Sequence, residues 1–513
     1  MPPSASGGRL LHGFGWSAAF LVVTRASTIV AVPVVLSGLG ADLYAVWVLA
    51  GALVMIQSLF DLGVASALVR YVAVAASKGG ARTPVLRIAM RAMVFYLALS
   101  AVVFLPMWFG ARSMVGLVHF LKPSELGAAI VIVRWAAVAF VLTNITLVAA
   151  SVLQGIDHVG ASYRDQTVGW LLYIPLLVAG IRFGSHAQAV GLAWVGAYAV
   201  QGLLLARSLT VGIRSIAPGG GAIPSFGEML SFGGRWQLSA WADFATFQLP
   251  RFVAGAALSS GDVVSLDVAI RAGQFLVAPL FAFYPTILPR AASLLTRGGL
   301  PELRSFLQRW YGIGVLAVVI GVCVFIPIEV PLLAIWTGRP MSAFDPFVAA
   351  AVLIGTAAHA STGLLTSALM AQGDIRPVVV YKGRQLFLAA ILLAVSAPIG
   401  LLPVALALCL SLILPAVAFN LYAAKELGLH GPVASIRTRW SLSAFALVQI
   451  AIPMALVVAV GSAVASWQLF GLAAIAAVIC LAFAGLLLAR RLSVRHYLWR
   501  LASLRPPDHL PKK

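Results

Sequence analysis

Six ionisable side chains sit in stretches otherwise apolar enough for hydrocarbon: Arg25, Asp243, Arg251, Asp267, Arg271 and His359. A charge near the bilayer centre costs on the order of 3 kcal/mol, so its default reading is functional. Arg25 lies midway along the first apolar run, where snorkelling to an interface is hardest. Arg251 lies two turns beyond Asp243 on a similar helix face, and both it and Arg25 read as lumen residues. Asp267 and Arg271 stand at i, i+4 spacing, which predicts a local ion pair. Asp243, Asp267 and His359 are the candidates for a coupling or lumen role. His359 stands among Thr356, Ser361 and Thr362 and reads either as a satisfied polar contact or as a proton relay. Arg134 is close enough to a helix end to snorkel, and Asp61 reads as structural.

Other chemistries lack their residues. No lysine lies in a Walker-type G-x-x-x-x-G-K-[ST] loop, no His, Cys and acid residues have metal-ligand spacing, and no G-x-S-x-G elbow occurs. The reading is therefore not an enzyme, with no metal and no cofactor. Cys323, Cys409 and Cys480 lie inside apolar runs and read as small buried hydrophobes.

The elements that position these charges are membrane helices. The chain is 61% hydrophobic and 10% charged, whereas soluble domains carry about 25% charged residues. Apolar runs predict spans near 14–37, 44–68, 92–110, 128–152, 166–182, 187–207, 231–256, 264–288, 309–328, 347–371, 379–399, 402–423, 440–461 and 467–489. The fold class is all-α: a polytopic membrane protein of about 14 transmembrane helices. The net charge of +20 comes from basic residues scattered singly at helix ends, which points to topology and not to nucleic acid. Most of these residues, including Lys382 and the tail from Arg490, fall on one side of the bundle. The positive-inside rule puts both termini in the cytoplasm. The first apolar run is long, contains Arg25 and has no small-x-small cleavage site, so it reads as a span and not as a cleaved signal.

The chain also repeats itself. A shift of about 218 positions lays Phe14-Gly15 on Phe232-Gly233, Arg91 on Arg309, Gln154-Gly155 on Gln372-Gly373, and Tyr163-Arg164 on Tyr381-Lys382. Two pseudo-symmetric six-helix bundles of like orientation follow, with two extra C-terminal helices. The expected units are 1–216, 217–430, 431–491 and a basic tail, 492–513, with a Gly/Pro linker at Ala217-Pro218-Gly219-Gly220-Gly221. The same shift lays Arg25 on Asp243, and these opposite charges at matching depth form a candidate pair across a central cavity. Gln57, Asn144, Gln237, Gln248 and Gln274 either line a hydrated path or bind neighbouring helices.

Short motifs add a resemblance. Ser37-Gly38-Leu39-Gly40-Ala41-Asp42-Leu43-Tyr44 resembles the "LG…YG" loop of bacterial polysaccharide (O-antigen-type) flippases, members of the multidrug/oligosaccharidyl-lipid/polysaccharide exporter superfamily. Phe60-Asp61-Leu62-Gly63 with Leu68-Val69-Arg70-Tyr71 resembles their "DLG…RY" stretch. Val152-Leu153-Gln154-Gly155, Pro289-Arg290-Ala291-Ala292-Ser293-Leu294-Leu295 and Ile335-Trp336-Thr337-Gly338 resemble further tracts in the same order. The chain departs from the pattern at Ser265-Leu266-Asp267, where many members read Gly-x-Tyr.

The resemblance implies two bundles in a V that open alternately to either side of a bacterial inner membrane. It implies export of undecaprenyl-diphosphate-linked oligosaccharide for surface polysaccharide (lipopolysaccharide O-antigen or exopolysaccharide) synthesis. It makes Arg25, Arg251 and Arg271 the residues that receive the diphosphate. The implied partners are the polyprenyl-diphosphate-linked glycan, membrane lipids, and a polysaccharide polymerase with chain-length proteins. Arginine suits this task because its fork binds phosphate oxygens bidentately and stays charged. The alternatives are a multidrug/cation antiporter of the same fold, which calls for acidic cavity residues, and a non-transporting membrane scaffold, which calls for loss of the lumen charges.

Overall fold

The computed structural model of the protein describes residues 3–77, 82–184, 186–219 and 224–429. The spans expected at 440–461 and 467–489, the tail from 492 and Cys480 lie outside the described residues. The elements in chain order are α1 (Pro3–Met55), α2 (Gln57–Phe60), α3 (Val64–Ser77), α4 (Arg82–Phe109), α5 (Ala111–Val115), α6 (Leu126–Gly155), α7 (Val159–Phe183) and α8 (His186–Arg214). They continue with α9 (Phe226–Phe247), α10 (Leu249–Ala257), α11 (Ser260–Thr337), α12 (Pro346–Ala360), α13 (Gly363–Gln372), α14 (Arg376–Ser396) and α15 (Leu401–Glu426). Among the described residues, 8 helical stretches are long and apolar enough to cross a membrane. The protein is an all-helical, multi-pass membrane protein.

The two longest elements are each two arms joined at a glycine. A straight helix the length of α1 would run about 80 Å, more than twice the hydrocarbon thickness. Gly40, at φ 78, interrupts α1, and Gly299, at φ 67, interrupts α11. A side chain in this left-handed region is strained, which is why both junctions are glycine. Several spans also break mid-course. The second span breaks at Asp61-Leu62-Gly63, with φ 50 at Leu62 and φ 69 at Gly63. The seventh breaks at Gln248, just before Pro250, and the tenth at Ser361-Thr362.

Helix starts follow their sequence signals. Ser225 with Glu228 opens α9, and Ser259 with Asp262 opens α11, each as a reciprocal capping box. Asp345 accepts from the Phe347 amide at 2.7 Å to open α12. The Ala-rich α12 is buried almost throughout. A Cβ on its Gly355 would lie 2.9 Å from the Cys409 Cα in α15, so these helices pack backbone to backbone.

The apolar interior is divided unevenly. One end of the bundle carries Arg82, Arg91, Arg164, Arg214, Arg304 and Arg376, and is called the basic end below. The other, the far end, carries the Gly40 turn, the 110–126 connection and the 338–346 connection. Toward the far end a single core joins the two halves. It runs from Ala31, Tyr44 and Trp47 through Ile132 and Trp194 to Leu266, Ile326, Leu353 and Leu412. Toward the basic end the core splits. One part is built on Leu68, Ile88, Tyr96, Leu153 and Leu205, with Met229 from the second half. The other is built on Ile287, Leu303, Leu365, Tyr381 and Phe419. The halves are thus fused at one end and have separate interiors at the other.

Candidate functional site

Asp267 lies inside the shared core with no exposed surface and binds three partners. It accepts from Arg251 Nε at 2.7 Å through Oδ1 and from Arg271 Nε at 2.7 Å through Oδ2. The Tyr44 hydroxyl donates to Oδ2 at 2.6 Å, crossing from the first half to the second. The local Asp267–Arg271 pair expected from i, i+4 spacing is formed, and Arg251 shares the same carboxylate. Two guanidinium groups on one carboxylate leave the cluster net positive.

The break at Gln248 explains how Arg251 is held. The Arg251 amide bonds to the Gln248 carbonyl at 3.0 Å instead of continuing the helix. That leaves the Phe247 carbonyl without its usual donor, and Arg251 Nη1 folds back to supply one. The same nitrogen donates to Gln248 Oε1 at 2.9 Å. Arg251 thus commits both Nε and Nη1. Arg271 differs: only its Nε is committed, its guanidinium carbon lies 5.2 Å from the Trp47 ring centroid, and its side chain is 16% exposed.

Asp267, Arg271 and Gln274 form a stripe at i, i+4, i+7 on one face of α11. At its lower end Gln274 Oε1 accepts from Arg25 Nη1 at 3.4 Å. Arg25 is exposed. Two residues above it on α1, Ser27 is buried and donates to the Trp170 carbonyl at 3.3 Å, and Ala31 belongs to the shared core. Arg25 thus stands where the joined interior gives way to the divided one. The Trp336 indole donates to the Ile29 carbonyl at 2.9 Å and ties the halves just beyond it.

The expected pairing of Arg25 with Asp243 is not formed in this conformation. Asp243 Oδ1 instead accepts from Lys382 Nζ at 2.5 Å. Lys382, placed by its sequence position among the loop cations, lies within α14 and is 9% exposed. The Asp243 side chain is 49% exposed, so the pair reaches solvent through the acid. His359 is buried, with Nδ1 2.8 Å from the Tyr381 hydroxyl, and is packed between the Tyr381 and Phe247 rings. It makes a satisfied polar contact inside the second half. Arg134 reaches a boundary position, donating to the Trp108 carbonyl at 3.2 Å. Asp61 accepts from the Tyr96 hydroxyl, a structural contact inside the first half.

At the basic end the halves touch through the broken second span. The Asp61-Leu62-Gly63 turn removes the helical donors to the Ser58 and Leu59 carbonyls. Gln237 Nε2 replaces them at 3.0 and 2.7 Å, and Trp241 Nε1 donates to Leu59 at 2.8 Å. Gln237 is thus a helix-binding residue. The described residues also line a cavity of about 460 Å³ between α14 and α15, with Arg376, Arg384 and Tyr422 in its wall.

Sequence reasoning missed three members of this arrangement. Tyr44 appeared only as part of a loop motif, because its partner lies 223 positions away. Lys382 was hidden by its position near a helix end. Glu329 fell one residue outside the span drawn to 328, although the helix continues to Thr337.

No family model matches the chain, and no curated protein matches it. Solved structures do. The inward-facing conformation of a multidrug resistance MATE family transporter of the MOP superfamily aligns at TM-score 0.61 and 16% identity, covering 79% of this chain and 94% of that one. The lipid II flippase MurJ in an inward closed conformation aligns at TM-score 0.61 and 12% identity, covering 87% of this chain and 98% of that one. An outward-facing MATE family transporter of the MOP superfamily aligns at TM-score 0.54 and 16% identity, covering 84% and 96%. The protein has the fold of this exporter superfamily, and these structural neighbours are transporters and a flippase, not enzymes.

Proposed function

We propose that the protein is a flippase that moves undecaprenyl-diphosphate-linked oligosaccharide from the cytoplasmic to the outer leaflet of the bacterial inner membrane. The basic end is the cytoplasmic end by the positive-inside rule. With interiors divided there and joined at the far end, the described conformation is open to the cytoplasm. The two bundles are the six-helix units 1–216 and 217–430, followed by two further helices, for about 14 in all.

The observation that carries the reading is the charge at the roof of the divided region. Arg25 is exposed there, held by Gln274, one turn along α11 from the uncommitted Nη atoms of Arg271. A diphosphate rising between the bundles meets Arg25 first and Arg271 next. Arg251, bound through Nε and Nη1 to Asp267, Phe247 and Gln248, holds that acid in place and lends its charge to the field. The barrier to flipping is loss of hydration by phosphates and sugars, and fixed guanidinium groups replace part of it. The prenyl tail stays in lipid. With the interior negative, outward movement of each negative charge is favoured by about 2.3 kcal/mol per 100 mV, so no nucleotide hydrolysis is needed.

The likeness to the lipid II flippase supports a lipid-linked cargo, and the likeness to multidrug transporters keeps the antiporter as the competing reading. A cation-binding cavity needs free acids. Asp267 is bound by two arginines and Asp243 is paired with Lys382, which favours the anionic cargo. The test is complementation. A strain lacking its surface-polysaccharide flippase should regain polymer when it carries this chain and lose it again with Arg25→Ala at equal protein level. Drug resistance without polymer would assign the chain to the antiporters.

A further inference from the structure

Glu329 lies about two turns before the far-end terminus of α11 at Thr337, with 1% of its surface exposed. Its Oε1 has no hydrogen-bond partner, and no ion pair forms at the residue among the described residues. Its helix face is otherwise apolar: Val322, Ile326, Val330 and Leu333 all belong to the core shared by the two halves. The backbone around it is specialised. Pro327 and Pro331 bracket Glu329 and remove two N–H donors from its turns. The Pro327 carbonyl, whose helical donor would be residue 331, is left as an acceptor. Neither proline carries an N–H, so neither supplies a donor to a carboxylate beside it.

No neighbouring charge compensates it. On α1, Tyr44 is bound to Asp267 and Arg25 to Gln274. On α10, Arg251 is bound to Asp267, as is Arg271 on the first arm of α11. On α12, His359 is bound to Tyr381 and Asp345 caps the helix start. Lys425 and Glu426 lie at the basic end of α15, and α13 carries no charged residue. Arg339 stands beyond the end of the helix, about 15 Å away by helical rise. None of these forms an ion pair with Glu329.

We propose that Glu329 is a proton-binding site whose occupancy is tied to closure of the far end. An unpartnered carboxylate cannot be enclosed in this core without a large desolvation cost, and binding one proton removes it. The proton comes from water at the far side, forms the carboxyl O–H, and is enclosed when the shared core assembles around Ile326 and Leu333. It returns to water when that core separates. A proton is favoured over a metal cation, because a hard cation takes several oxygen ligands and this site offers a single carboxyl. The site is distinct from Asp243 and His359, whose partners are already in place. Its role in export rests on the alternating-access reading above; its chemistry does not.

The test uses the full-length protein in lipid nanodiscs, with dicyclohexylcarbodiimide as a probe that reacts with protonated buried carboxyls. Peptide mass spectrometry should find the adduct at Glu329, falling about tenfold or more between about pH 6 and about pH 9. Glu329→Gln should lack it, and sodium should not protect it. Absence of the adduct at every pH, or protection by sodium, overturns the proton site. In parallel, spin labels at Leu117 and Ser342 report far-end separation. The wild-type distance should lengthen as pH rises, and Glu329→Gln should hold the short distance throughout. A pH response that persists in Glu329→Gln also overturns the proposal. Labelling is read whatever the cargo. Normal labelling with no polysaccharide export refutes the flippase reading alone, and normal export with no labelling refutes the proton site alone.

Discussion

Gly63 and Gly233 meet backbone to backbone across the two halves: a Cβ built on Gly63 would lie 2.3 Å from the Gly233 carbonyl oxygen. Gly63 also adopts φ 69, so a side chain there meets both a clash and backbone strain. Gly63→Ala should destabilise the described conformation by about 1–3 kcal/mol. The measurement is thermal unfolding of the purified protein in detergent, with Gly227→Ala as the control, since a Cβ at Gly227 meets only the Ser225 hydroxyl at 4.0 Å. Equal melting temperatures for the two variants would contradict the close approach.

Asp267 is the shared counter-charge of the buried Arg251 and the partly buried Arg271, so its loss should cost more than any other single change in this cluster. Asp267→Asn leaves both guanidinium groups without their counter-charge, and removal of one partner from a buried ion pair costs about 3–5 kcal/mol. Adding Arg251→Gln should recover part of that loss, because one unpaired charge is then gone. Thermal unfolding of the wild type, both single variants and the double variant gives the coupling directly. Additive effects would exclude the shared carboxylate.

Tyr44 contributes one charge-assisted bond to the same acid. Tyr44→Phe should lower stability by about 1.5–3 kcal/mol and leave the ring packing on Trp47 intact. The bond joins the halves only at the far end. The variant should therefore also shift far-end spin-label distances toward longer values, which a purely local role would not do.

The Asp243–Lys382 pair makes a charge-swap prediction. Asp243→Asn leaves the nine-tenths-buried Lys382 ammonium without its counter-charge and should reduce polymer export several-fold. The double change Asp243→Lys with Lys382→Asp should restore at least part of it. Quantified surface polysaccharide at matched protein level is the readout, and a double variant no better than Asp243→Asn would show that position, not pairing, matters.

Much of this arrangement could be read from local sequence, and the rest could not for physical reasons. The Asp267–Arg271 pair follows from helical periodicity, because four residues are one turn. The capping boxes at Ser225 and Ser259 are equally local. By contrast, Tyr44 and Asp267 are brought together by two packed helices, and no spacing rule reaches across that distance. Lys382 misled because a cation near a helix end ordinarily reaches water, whereas here the half-exposed Asp243 draws it inward. The span expected over 231–256 is interrupted at Gln248, and no spacing rule shows that the carbonyl released there is satisfied by the Arg251 side chain. Glu329 was lost to a span boundary drawn one residue short.

An apolar mass that is single at one end and forked at the other behaves like tongs around a greasy pivot. In the proposed export cycle, squeezing the prongs together buries apolar surface while prising the pivot open exposes it, so the two changes oppose each other in sign. Modest differences in how each posture holds a passenger are then enough to decide which one prevails.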